Sequence, residues 1–305
     1  MRVALLYNPD AGEDDQPSGD ELVELIRRGG HTVVCHLSHD ENLETALAEP
    51  ADIIAVAGGD GTVGRVAKSM IGKSIPIAVL PMGTANNIAT SLGIVDRPLE
   101  ELIAEWASAR RVKFDVAEAK GPWGSKYFLE GFGVGLFSET MSRLHSKHHT
   151  NLAHLDDAEI KITSVLHILK ERLRNYVPKK LQLNLDGQDL SGEYILVEVL
   201  NIKHIGPNLH LAPEADPSDG LLDVVLVRPT EQDDLSKYFS DAPKNKSSTP
   251  ELPVNRGSRL KIAWDGFLVH IDDESWPAPN SDLPLSLESI EVKAEGQKLE
   301  FLAPG

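Results

Sequence analysis

The sequence predicts an α/β fold: a doubly wound parallel sheet over residues 1–109, then a β-sandwich over residues 110–305 with a helical insertion around 140–180. Three observations carry this. Apolar runs and helix-forming segments alternate at short spacing up to Arg110. One of those runs, Ile53 to Ala57, is apolar at every position, as in a parallel strand covered on both faces, and it leads straight into Gly58-Gly59-Asp60-Gly61-Thr62. Beyond Arg110, short β-type runs recur between Gly, Pro and Asp punctuation.

Taken in order, Val3 to Tyr7 is a strand stopped by Asn8-Pro9. An acidic loop, Asp10 to Pro17, precedes Ser18-Gly19-Asp20-Glu21, which has the form of a capping box. Leu22, Leu25 and Ile26 then recur at helical spacing, and Gly29-Gly30 ends that helix. His31 to Leu37 reads as a strand and Asn42 to Ala48 as a short helix. The Ile53 strand and a helix over Val63 to Ile71 follow. Ile75 to Leu80 is a fourth strand, leading into Pro81-Met82-Gly83-Thr84-Ala85-Asn86-Asn87 and a helix that ends near Gly93; Pro98 to Ala107 is a further helix.

The β-type runs of the second part are Val112–Ala119, Tyr127–Leu129, Leu181–Leu185, Tyr194–Asn201, Leu222–Val227, Leu260–Ala263, Val269–Asp272, Ile290–Ala294 and Leu299–Leu302. Ala158 to Tyr176 is helical, with Ile160, Val165, Ile168, Leu169 and Leu173 expected on one face. Asp233 to Pro253 is polar and reads as an exposed loop around Lys244 to Pro250.

Bulk chemistry narrows the function. The 41% apolar and 25% charged fractions are those of a globular protein with a sizeable core. A net charge of −17 argues against a general affinity for nucleic acid or anionic membranes. A single cysteine, Cys35, excludes an internal disulfide and a Cys-rich zinc site. No apolar run approaches the ~18 residues of a membrane span, and the N-terminus lacks a cleavable leader, so a cytoplasmic location is expected.

The glycines of Gly58 to Thr62 allow backbone N–H groups to face a phosphate. Asp60 would repel that phosphate unless it works through a bridging Mg²⁺, which points to a nucleotide site with a metal. The Gly59-x-Gly61-x-x-Gly64 pattern matches the dinucleotide fingerprint, but no Asp or Glu follows before Val95 to take a ribose, and the turn follows the third strand, not the first. The full Gly-x-x-x-x-Gly-Lys-Ser/Thr phosphate loop is also absent: Ala67 stands where its first glycine would precede Gly72-Lys73-Ser74. Asn8-Pro9 and the Pro81–Asn87 loop leave strand ends at the same edge of a doubly wound sheet, where ligands bind.

Together, Gly58-Gly59-Asp60-Gly61-Thr62, then Pro81-Met82-Gly83-Thr84-Ala85-Asn86-Asn87-Ile88-Ala89, the stretch Ala212 to Asp223 and Asp272-Asp273-Glu274 resemble the diacylglycerol kinase catalytic-domain family, which includes bacterial lipid kinases and sphingosine and ceramide kinases. The resemblance implies a nucleotide-binding domain, a β-sandwich, and transfer of phosphate from ATP to a hydroxyl in the cleft between them. It implies that Asn8, Pro9, Gly58, Gly59, Gly61, Thr62, Gly83, Thr84, Asn86 and Asn87 hold ATP, with Asp60 in the Mg²⁺–phosphate network. It further implies that Asp272 and Glu274 activate the acceptor hydroxyl, and that Asp216, Asp219 and the Leu221 carbonyl hold a structural Mg²⁺.

This chain departs from the family pattern in three places. Glu13 stands where the family's first loop carries a lysine, Asn87 where its second loop carries an aspartate, and Asp273 where the Asp-Gly-Glu element carries glycine. Two rivals therefore stay open: a NAD kinase or other non-lipid kinase, and a nucleotide-binding protein with little turnover. Arg143, Lys147, His148 and His149, and the run Lys170, Arg172, Arg174, Lys179 and Lys180 leave a peripheral membrane contact open, with a solvated helix face as the plainer reading. A metal held by His145, His148, His149 and His154 is disfavoured because no carboxylate lies at useful spacing, and a homodimer is left open.

Overall fold

The computed structural model describes residues 1–11, 16–38, 50–145, 157–242, 249–277 and 288–305. Glu13, the helix expected at 42–48, Lys147, His148, His149, His154 and most of the 244–250 loop lie outside them. The chain forms two compact units, Met1–Phe114 with Gln297–Gly305, and Asp115–Gly296.

In the first unit β1 (Arg2–Tyr7), β2 (Thr32–Ser38), β3 (Ile53–Gly58) and β4 (Ile77–Pro81) pair in parallel in the order β2-β1-β3-β4. The intervening helices are α1 (Gly19–Arg28), α2 (Asp60–Ser69), α3 (Asn87–Ser91) and α4 (Leu99–Glu105). Every residue of β3 is buried, as its unbroken apolar run requires. Val3, Leu5, Ile53 and Ala55 pack with Leu22 and Ile26 of α1 and with Ile103, while the alternate residues Ala4, Leu6, Ile54 and Val56 are equally buried. The capping box of α1 forms: Ser18 Oγ accepts from the Glu21 amide and Glu21 Oε2 accepts from the Ser18 amide.

The sheet has a fifth strand that the sequence reading placed in the sandwich. Phe301 pairs in parallel with Ile77 of β4, and its ring packs 5.0 Å from that of Phe114. Leu299, Phe301 and Leu302 are buried, so the run over 299–302 covers the β4 edge of the first unit.

In the second unit, β5 (Arg110–Gly121, from Asp115 onward) pairs with β6 (Gly124–Phe128). A six-stranded antiparallel sheet joins β7 (Gly131–Gly135), β8 (Leu196–Leu200), β9 (Leu222–Val227), β10 (Val254–Gly257), β11 (Val269–Ile271) and β12 (Glu274–Trp276), in the order β10-β9-β8-β7-β11-β12. Phe132, Val134, Val197, Val199, Val269 and Ile271 meet Leu260, Ile262, Trp264, Ile290 and Val292 in one sandwich core. On the opposite face, Leu196, Leu200 and Val225 meet α5 (Leu136–His145), α6 (Ala158–Leu173) and α7 (Gln232–Asp241). This six-stranded sheet is thus covered by an apolar layer on each side.

Two local expectations change. The buried stripe of α6 is Leu166, Leu169 and Leu173, and Ile160 is 50% exposed, because the helix starts at its Asp157 cap with the first turn turned outward. Residues 232–241, read as polar loop, form α7, since Leu235, Tyr238 and Phe239 fall on one face and are buried.

Candidate active site

Three loops leave the C-terminal ends of β1, β3 and β4, which in a parallel sheet lie at one edge. Asn8 stitches the first to the second: its amide donates to the Ala57 carbonyl (3.0 Å), and its Nδ2 to Thr62 Oγ1 (2.9 Å). Pro9 follows in an exposed turn held by Asp10 N donating to Asn8 Oδ1 (3.0 Å). The second and third loops approach backbone to backbone. A Cβ added to Gly59 would lie 3.0 Å from the Gly83 Cα, and one on Gly83 would collide with Gly59. A Cβ on Gly58 would press on the Thr62 side chain, 2.8 Å away. Only glycine permits this contact.

The third loop is held by Asn86, in the left-handed conformation with φ +54. Its Oδ1 accepts from Gly83 N (2.9 Å), and its Nδ2 donates to Gly83 O (2.6 Å). Thr84 lies half-buried between them in sequence, and Asn87 is buried. Asp60 ties the pair together: one carboxylate oxygen accepts from the Asn87 amide and the other from the Ile88 amide, both at 2.9 Å. Those amides open α3 and have no intrahelical acceptor, so the Asp60 charge caps a neighbouring helix. Its own helix, α2, begins at Gly59 with no side-chain cap, and Gly61 is exposed in its first turn. An uncapped helix N-terminus lined by glycine suits a phosphate.

The other expected cluster belongs to the second unit. Asp272 has φ +50, and its carboxylate accepts from the amides of Glu130 (2.9 Å), Leu129 (3.2 Å) and Gly131 (3.4 Å). Its own amide donates to the Gly131 carbonyl. Asp272 is therefore a clamp on the turn between β6 and β7, more than a free base. The left-handed residue is Asp272, so Asp273 stands in place of the family glycine without a positive φ. Glu274 is the open carboxylate: its side chain is 50% exposed and pairs with Lys126 Nζ at 2.7 Å, while Lys126 lies 4.1 Å from the centre of the Trp276 ring. Nothing in the sequence reading singled out Lys126.

Asp216 and Asp219 turn to internal partners. Asp216 Oδ1 accepts from the Ser218 amide (2.9 Å) and hydroxyl (2.7 Å), and these bonds hold its carboxyl below the ordinary carboxylate range. Asp219 accepts from the Leu221 amide (2.8 Å) and pairs with the Arg256 guanidinium, whose Nε also lies 3.4 Å from Asp223. Burial pushes Asp223 up to about 6, with Arg256 opposing it. Among the described residues no group of three or more His, Cys, Asp or Glu side chains could hold a metal. Of Asp216, Asp219 and the Leu221 carbonyl, to which the resemblance gives a structural Mg²⁺, Asp219 takes the Arg256 guanidinium as its cation in this arrangement. Asp60 fits a Mg²⁺ by its chemistry, as a carboxylate placed between the two glycine loops.

Residues 2–119 match the model of the diacylglycerol kinase catalytic domain, and residues 146–291 that of the YegS C-terminal NAD kinase beta sandwich-like domain. The chain belongs to the diacylglycerol kinase catalytic-domain family. Among its curated relatives, a "Diacylglycerol kinase" of Mycobacterium tuberculosis is 26% identical over 286 residues, covering 89% of this chain and 85% of the relative. A "Probable lipid kinase YegS-like" of Stenotrophomonas maltophilia is 29% identical over 231 residues, covering 72% and 69%. The crystal structure of a putative diacylglycerol kinase from Bacillus anthracis superposes with a TM-score of 0.68 at 21% identity, over 99% of this chain and 97% of that one. That likeness establishes the fold.

The candidate site residues named from the sequence lie in loops and at the ends of the strands and helices beside them. The buried polar residues of the second unit escaped that reading, Glu198, Asn201, Asp115 and His270 among them. Asn201 Nδ2 donates to the carbonyls of Asp115 and Leu129, and Asp115 Oδ2 accepts from Gly220. A signal was present: Glu198 interrupts Leu196-Val197-x-Val199-Leu200, and His270 sits between Val269 and Ile271. A lone charge inside an apolar strand is costly unless paired.

Proposed function

We propose that this chain is an ATP-dependent kinase, with Mg²⁺, of a hydroxyl on a lipid or lipid-like acceptor. The observation that carries the donor half is the Asp60 bridge, which locks two glycine loops together and leaves the α2 N-terminus without a side-chain cap. In this reading the first-turn amides of α2 and the Gly83–Asn86 loop bind the ATP phosphates. A bound Mg²⁺ would neutralise charge on the transferring phosphoryl group. Asn8, through Thr62, fixes the backbone of the turn. Glu274 takes the proton of the acceptor hydroxyl as the new O–P bond forms and ADP leaves, and Asp272 holds the turn that presents it. Lys126, 2.7 Å away, orients the Glu274 carboxylate.

The test is turnover of ATP with a panel of diacylglycerol, monoacylglycerol, sphingoid base and NAD. Phosphorylation of one lipid is expected, with Glu274→Gln slower by roughly 10²–10⁴-fold. Intact ATP binding without transfer to any acceptor would overturn the kinase reading. Phosphate on NAD alone would move the acceptor class to the non-lipid rival.

A further inference from the structure

Glu198 and His270 are 0% and 1% exposed, on strands separated by β7. Both pair in register with the same residue of that middle strand, Gly133. Their neighbours Val197, Val199, Val269 and Ile271 point into the sandwich core, so by alternation both side chains stand on the opposite face, toward the helices. The missing side chain of Gly133 is what lets them meet: a Cβ there would fall inside contact distance of both. His270 Nε2 and Glu198 Oε2 are 2.7 Å apart, and Phe137 of α5 closes edge-on against the imidazole at 5.0 Å.

The other imidazole nitrogen, Nδ1, lies 3.1 Å from the carbonyl of Asp272. A carbonyl can only accept, so Nδ1 carries a hydrogen. One further proton is then shared between Nε2 and the Glu198 carboxyl, and the pair is neutral as a unit. Burial works against a charged imidazole, but Glu198 and the Asp272 carbonyl outweigh it and keep that proton in place above the usual histidine range. Among the described residues Glu198 Oε1 has no hydrogen-bond partner, and the dyad reaches the polar network of these residues through Asp272.

We infer that Glu198 and His270 are positioning residues for the acceptor side of the reaction. The chain Glu198–His270–Asp272 carbonyl fixes the left-handed Asp272, whose carboxylate holds the Leu129–Gly131 amides and from which Glu274 projects two residues later. Buried Glu–His pairs cost desolvation, and a sheet row of three apolar residues would fill the same space; the observed row spends that cost on one carbonyl of the Asp272–Glu274 turn.

The inference rests on the kinase reading for its catalytic consequence, and two readouts separate them. Glu198→Leu is expected to lower kcat about 100-fold through a displaced Glu274, with the KM for ATP unchanged. Independently of activity, it should speed hydrogen exchange at the Leu129, Glu130 and Gly131 amides without unfolding the sheet. Glu198→Gln should restore both, because its amide donates to Nε2 and leaves Nδ1–H on the carbonyl. Should Glu198→Leu fail to fold, Gly133→Ala, whose Cβ forces the pair apart while both side chains keep their chemistry, should give the same two effects. Unchanged exchange and kcat in a folded Glu198→Leu or Gly133→Ala protein would overturn the proposal, as would a Gln variant as impaired as the Leu. If the wild type transfers no phosphate but the exchange effect appears, the dyad's hold on the turn stands and the kinase reading alone fails.

Discussion

Asp60 and Asp272 are both aspartates whose carboxylates gather backbone amides, and they do so on different foundations. Asp60 accepts two amides at the start of α3 and sits in a loop pair made of glycine backbone. Asp272 accepts amides from Leu129 to Gly131, and its carbonyl rests on a histidine–glutamate pair sealed inside the sheet. The donor side is thus shaped by what side chains leave out, and the acceptor side by what they put in. Backbone cradles suit a phosphate, which every nucleotide shares. A carboxylate that must meet one hydroxyl needs its angle set by side-chain packing.

The sharpest way to break this contrast is Asp60→Ala. It should reduce phosphoryl transfer by at least about 100-fold, and stability should fall by about 1–3 kcal/mol, because the Asn87 and Ile88 amides lose their acceptor. Calorimetry beside the kinase assay checks both; an inactive variant of unchanged Tm would mean that Asp60 serves a metal alone. Gly83→Ala tests the glycine half. Overpacking against Gly59 should cost about 1–3 kcal/mol and raise the KM for ATP, while exchange at Leu129 to Gly131 stays as in the wild type.

The smallest effect expected is at the acidic turn. Arg256→Ala should cost no more than about 1 kcal/mol, since the guanidinium is partly exposed. The informative outcome is metal response: Mg²⁺ or EDTA should leave the wild-type Tm unmoved, and Mg²⁺ should raise that of the variant by replacing the lost cation. A wild-type Tm that drops in EDTA would restore the structural metal at Asp216 and Asp219.

The sequence made the donor side legible because its devices are local. Glycine at Gly59 and Gly83, and a capping residue such as Ser18, announce their geometry within a few positions. The role of Asp60 was only half visible, since its partners lie 27 and 28 residues away. Glu198 and His270 were illegible as a pair for the same reason at greater range: they are 72 residues apart and meet only because three strands align at Gly133. Arg256 gave no sign that it closes the turn at Asp219, because a lone arginine at a strand end is ordinary surface composition. The helix α7 was missed when a charged first turn, Asp233 and Asp234, outweighed three apolar residues behind it.

The return of residues 297–305 to the first unit has a consequence for how the protein is made. The β4 edge, with its row of unpaired amides and carbonyls, waits through synthesis of the whole second unit before its covering strand emerges. Until then the nascent first unit presents an open template for wrong pairing. Chaperone demand during translation, and poor recovery of any fragment ending before Leu299, follow from the placement of Phe301 against Ile77.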